Sequence, residues 1–156
     1  MAFLSTINIV GSGLTAQQLR LDVVGENVTN STTTRVENGE GAYRRKMVVF
    51  EAVSGRDSFR AALARASNGL IANTEQSTPA AGGVRVTEIV EDQSPMKMVY
   101  DPTHPDADED GYLEMPNVDM VKEIADAMAA TQAYSSNVTM FNTMKTVISD
   151  GLQIRK

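Results

Sequence analysis

Between Val118 and Leu152, the residues Ile124, Met128, Thr131, Tyr134, Val138, Phe141, Met144, Ile148 and Leu152 recur at spacings of mostly three or four, and Thr131 is the polar member. An average of about 3.5 is the period of a seam along which one helix packs on another. No Pro or Gly interrupts the run before Gly151. The pattern predicts a rod of about 50 Å, longer than a compact domain of this size needs. A second seam opens the chain: Phe3, Ile7, Val10, Leu14, Leu21, Val24 and Val28, with Gln17 as its one polar position. It predicts an amphipathic helix over the first thirty or so residues. Two arrangements satisfy the pair of seams, an antiparallel pair closing one small domain and helices that complete themselves on other subunits.

The first helix carries an energetic weakness. Gly11, Gly13 and Gly25 each cost about 1 kcal/mol relative to Ala in a helix interior, so the isolated segment is expected to order only when its seam is covered. Close approach of a neighbouring backbone is the other reason for glycine there. The helix runs into Asn27, Asn30, Ser31, Thr32, Thr33 and Thr34, whose short polar side chains compete for backbone hydrogen bonds and end helices. Beyond it the pattern turns to period two. Tyr43–Glu51 predicts a strand, Val84, Val86 and Val90 a second (with Ile89 off the alternation), Met96, Met98 and Tyr100 a third, and Tyr112–Met115 a short fourth. Ser58 to Gly83, rich in Ala, Ser, Asn, Thr and Gly, reads as a long mobile loop with a helical turn or two over Phe59–Ala66. The fold expected is mostly α with a small β region: long N- and C-terminal helices packing as a coiled-coil-like pair around a middle of short strands and loops. The divisions are 1–34, 35–116 and 117–156.

Composition narrows the chemistry. The 156 residues are 42% apolar and 5% aromatic, with a formal charge of -6, which suits one small domain with helical extensions and excludes a nucleic-acid binder. Arg44, Arg45 and Lys46 form the one basic run and read as a solvated strand face. There is no cysteine, hence no disulfide and no thiolate site. Met1–Leu19 is uncharged but too polar to insert in a membrane, and it lacks the form of a cleaved secretory signal. Export, if it occurs, is expected to keep the N-terminus. Three Asn-x-Thr sequons, at Asn27, Asn30 and Asn137, are discounted because Val28 and Val138 sit on the seams. Asp106-Ala-Asp108-Glu-Asp110-Gly111 opens like a calcium loop, but Asn117 stands where the bidentate glutamate belongs. His104 has no second histidine and no evident nucleophile to serve. No catalytic residue, metal ligand or cofactor is therefore expected.

Ser12-Gly13-Leu14-Thr15-Ala16-Gln17-Gln18, followed by Asn27, Asn30 and Thr33, resembles the N-terminal signature of the bacterial flagellar rod, hook and hook-associated family. Tyr100–Tyr112, Pro116-Asn117-Val118 and Ala133-Tyr134 to Asn137 look like the proximal rod branch of that family. The resemblance implies a non-enzymatic structural subunit of the basal body. Its terminal helices would build a helical rod that spans the periplasm and transmits motor torque. Implied partners are other copies, other rod proteins and the flagellar type III export apparatus, through which subunits pass without signal cleavage. The seams and the family-matched positions together place a subunit interface on Ile7, Val10, Leu14, Leu21, Val24, Asn27, Asn30, Thr33, Ile124, Met128, Tyr134, Asn137, Val138 and Phe141. Two positions depart from the family pattern: Thr34-Arg35 replaces a Pro-Gly pair, and Gln132 stands where arginine is common. A soluble coiled-coil adaptor that dimerises through the same helices is the alternative.

Overall fold

The computed structural model describes residues 2–36, 41–53 and 82–153. Among them the chain runs α1 (Ala2–Thr29), β1 (Lys46–Ala52), β2 (Val84–Glu91), β3 (Lys97–Tyr100), β4 (Tyr112–Met115) and α2 (Met120–Gln153). Two long helices enclose a middle of short strands, as the change of period predicts. The expected loop over Ser58–Gly83 and the helical turns at Phe59–Ala66 lie almost wholly outside the described residues.

Each element ends for a local reason. Asn30 donates its amide N–H to the Glu26 carbonyl at 3.0 Å and its side-chain N–H to the same carbonyl at 2.9 Å, closing the last turn of α1 with the short polar side chain its sequence supplies. Strand β1 begins three residues later than its apolar pattern. The N–H of Tyr43 bonds the Thr33 carbonyl at 3.1 Å and that of Arg45 bonds Asn117 Oδ1 at 2.8 Å, so neither serves a strand ladder. Helix α2 starts at Met120 instead of Val118 because Asp119 caps it, its Oδ1 accepting the Val121 N–H at 3.1 Å.

The chain divides into two compact units. The first comprises Met1–Gln17, Phe50–Thr87 and Ala133–Lys156. Within it Val10 and Ala16 of α1 are buried. A Cβ on Gly13 would lie 2.9 Å from Asn137 Nδ2 of α2, so close approach explains this glycine, whereas Gly11 faces open space. Gly83 has φ of +127° and would set a Cβ 2.6 Å from Ser12 Oγ, which itself accepts the Val84 N–H at 3.1 Å. Only glycine satisfies both demands.

The second unit comprises Gln18–Val49 and Glu88–Gln132. Its core is Val23, Val24, Ala42, Tyr43, Leu113, Val118 and Ala130, with Asn27 and Glu123 buried among them. The α1 and α2 segments of this unit run antiparallel, since Arg20 meets Asp126 and Asn27 meets Glu123. Strands β3 and β4 pair antiparallel from Lys97↔Met115 to Tyr100↔Tyr112. Alternation puts Met98, Tyr100, Tyr112 and Glu114 on one face, and Leu113 of the other face is buried. Gly111 turns the connection with φ of +79°, 3.0 Å from the Tyr100 ring were it to carry a Cβ.

Candidate functional site: a buried polar clasp and an open helix ridge

The most constrained chemistry lies in the second unit, where three segments meet on two buried side chains. Asn27, at the end of α1, is 1% exposed, and Glu123, in the first turn of α2, is wholly buried. The Asn27 amide donates to Glu123 Oε2 at 2.9 Å and to the Lys46 carbonyl at 2.8 Å. Its oxygen accepts from the Tyr43 hydroxyl at 3.0 Å and the Lys46 N–H at 2.8 Å. An Asn side chain offers two donors and two lone pairs, so its hydrogen-bonding capacity is filled. Glu123 Oε1 accepts from Arg45 Nε at 2.6 Å. A carboxylate with no access to water costs several kcal/mol unless paired in this way. Asn117 ties the same region together, accepting from the Arg45 N–H and donating to the carbonyls of Asp92 and Ser94 at 3.0 and 3.2 Å.

These surroundings move the titrations of the clasp. Burial, and then the Glu26, Glu123 and Glu91 carboxylates, push the Tyr43 phenol up to about 12. Burial opposes the charge on Arg45, but the bond to Glu123 and the nearby Glu123, Asp92 and Asp126 carboxylates outweigh it and raise its pKa. Hydrogen bonds from the Ser94 hydroxyl and N–H, with help from Arg45, hold Asp92 below the usual carboxylate range.

The sequence pattern predicts a solvated face at Arg44–Lys46. That is corrected at Arg45, whose side chain is 20% exposed and bonded to a fully buried acid, and at Lys46, which pairs with Glu26. Glu123 and Tyr43 were missed as members of one site. A lone acid in a first helical turn resembles an ordinary dipole partner, and nothing local links it to a residue 96 positions away. The departure at Thr34-Arg35 forms a second clasp. Thr34 Oγ1 donates to Asp106 Oδ2 at 2.9 Å and Arg35 pairs with Asp106 Oδ1. The first acid of the calcium-like run is thereby engaged within the chain, and the Asp106 N–H donates to His104 Nδ1 at 3.1 Å.

The residues placed on an interface separate into groups. Val10, Val24 and Asn27 are closed off inside the chain. Ile7, Leu14, Leu21, Asn30, Thr33, Tyr134, Asn137 and Val138 are half-buried. Ile124, Met128 and Phe141 stand open at 51%, 69% and 39%. In the second unit the side of α2 turned inward carries Glu123 and Ala130, while its apolar residues Val121, Ile124 and Met128 face out. In the first unit Met140, Val147 and Leu152 are likewise exposed. Of the α2 seam, Ile124, Met128, Phe141 and Leu152 are thus uncovered, while Tyr134, Val138, Met144 and Ile148 are half-buried.

Residues 109–154 match the family described as Flagellar basal body rod FlgEFG protein C-terminal. The whole chain is similar to the flagellar basal-body rod protein FlgC of Bacillus subtilis, 42% identical over 159 residues that span 100% of each chain. It is similar also to that of Borreliella burgdorferi, 37% identical over 99% of this chain and 98% of the relative. A third relative, from Escherichia coli O157:H7, is 38% identical over 95% of this chain and 94% of its own. On identity of this level across nearly the full length, the chain belongs to the FlgC family of flagellar basal-body rod proteins.

Proposed function

We propose that this structural rod subunit assembles helically through its two terminal helices into the proximal rod, spans the periplasm as part of that polymer and carries motor torque along it. The observation that supports this reading is the exposed apolar surface of α2, Val121 at 76% and Met128 at 69% in the second unit and Leu152 at 70% in the first. Apolar surface is worth about 25 cal/mol per Å2 when removed from water, so side chains this open favour covering by neighbours. The partners in this reading are further copies of the chain and other rod proteins. Interfaces between unlike surfaces propagate into open helical filaments when the rotation from copy to copy does not close a ring.

Passage through the type III export apparatus, without cleavage of a signal, belongs to the same reading. Gly11 and Gly25 face open space, so close packing does not require them, and each holds α1 about 1 kcal/mol below the stability of an alanine helix. Weak helices suit a chain that must thread a narrow channel before it orders. The reading assigns no reaction to the protein: Glu123 is enclosed between Arg45 and Asn27, out of reach of a substrate. It assigns no nucleic acid, given the charge of -6, and no insertion in a membrane. No helix among the described residues is long and apolar enough to cross one.

The test is Met128→Asp, made in cells and in the purified chain. Because Met128 is mostly exposed, the folded monomer should keep its stability to within about 0.5 kcal/mol, while assembled rods and motility disappear. Normal rods in that strain would overturn the reading. So would a wild-type chain that sediments as a closed dimer at every concentration, the behaviour of a coiled-coil adaptor.

A further inference from the structure

The hairpin β3–β4 has chemically opposite ends. At the Tyr100↔Tyr112 end the connection carries Asp108, Glu109 and Asp110 in succession, all exposed. Beside them Tyr100 and Tyr112 stack edge to face with ring centroids 5.3 Å apart. They are 65% and 46% exposed, and Met98 of the same face is also open. At the Lys97↔Met115 end, three residue steps or about 10 Å along the ladder, lies a groove of about 260 Å3 lined by Arg45, Asp92, Ser94, Pro95, Lys97, Asn117, Asp119 and Lys122.

Of the cations in that groove, Arg45 is held by Glu123 and Asp92. Lys97 donates to a neutral partner, the Val118 carbonyl, at 2.6 Å, so its charge is not compensated by that bond. Lys122 has 78% of its side chain exposed and meets Asp119 only at 3.8 Å. Beside it on α2, Val121 is 76% exposed. One end of the hairpin therefore presents acids around an aromatic pair, and the other presents Lys97 and Lys122 next to an exposed valine, with Asp92 drawn to Arg45 and Asp119 the one acid near Lys122.

We propose that the Tyr100–Tyr112 face and acidic turn of one copy of this chain dock on the Lys97–Lys122 groove and Val121 of the next copy. The occupant is a second copy because the two surfaces complement each other in charge and in apolar character. Both lie on the same unit but at opposite ends of one hairpin, so the contact is between unlike surfaces and repeats from copy to copy. Charge complementarity of this kind fixes partner and register more than it adds affinity, and a small contact suffices where many are made together. The proposal rests on the chain being a polymerising rod subunit and names one interface within that polymer.

The absence of cysteine makes the contact open to cross-linking. A full-length chain carrying Asp110→Cys and Lys122→Cys together, incorporated into basal bodies in cells and oxidised, should yield a ladder of dimer, trimer and higher bands. Either cysteine alone should give none beyond a dimer. The second measurement uses charge: Glu109→Lys or Lys122→Glu alone should lower the number of assembled rods about tenfold, and the two together should restore it. Rods that contain the doubly substituted chain but give no ladder would overturn the proposal and leave the rod reading standing, as would normal rods from either charge reversal. Wild-type chain missing from purified basal bodies would instead remove the rod reading, and the proposal with it.

Discussion

Glu123 and Asn27 show how much can depend on two side chains. Glu123→Ala would leave the Arg45 guanidinium and the Asn27 amide without their buried acceptor, a loss of about 3–5 kcal/mol that urea unfolding of the purified chain should report. Tyr43 sets an alkaline limit. Its pKa is raised from 10.0 to about 12 in the folded state, so its contribution is fully present below pH 10 and is lost as pH rises toward 12. Tyr43→Phe should flatten that part of the stability profile. Asp92 works in the opposite sense: its pKa is lowered, so its contribution holds above the ordinary carboxylate value and fades as pH falls through the folded one. Gln17 is the reverse case. Its carbonyl oxygen is buried with no hydrogen-bond partner among the described residues. Gln17→Leu should therefore be neutral or stabilise the monomer by about 1 kcal/mol, checked by thermal unfolding.

At the scale of elements, apolar period locates the two helices and four strands of the described residues to within a few positions, because period is a local property of the chain. The glycines of α1 separate two reasons that sequence leaves merged. A Cβ on Gly13 would lie 2.9 Å from the Asn137 amide, whereas one on Gly25 would meet nothing within 4 Å. Gly25→Ala should raise helix stability by about 1 kcal/mol, whereas Gly13→Ala must displace the Asn137 amide and should gain little or lose. Denaturant melts of the two variants side by side would check the difference. The clasp was not legible in the same way. Asn27, Arg45 and Asn117 were each singled out in the sequence, as a turn residue, part of a basic run and a failed metal position. Their common purpose appears only when Glu123 brings them together across long separations. The open ridge of α2 was legible as a seam, but its phase was not, since Ala130 and Glu123 take the inward side that Ile124 and Met128 were equally able to fill.

For the molecule as a whole, the two units invite a measurement of their separate order. The interlocked bonds of Asn27, Tyr43, Arg45, Asn117 and Glu123 all lie in the second unit. Amide exchange in the dilute monomer should therefore be slowest around Lys46 and Glu123. The part of α2 beyond Ala133, where Met140, Val147 and Leu152 are exposed, should exchange faster and become protected on assembly. Equal protection along all of α2 in the monomer would contradict this.

The separation of 96 residues between Asn27 and Glu123 has a temporal consequence. A chain emerging from any narrow opening, whichever end leads, must release nearly its entire central portion before this bond can close. Until then the asparagine and the glutamate remain hydrated on two strangers' ends of a loose loop, and the entropy of joining them falls due only once. A chain threaded through such an opening would thus carry its own clock, with this bond pliable for most of the passage and set late.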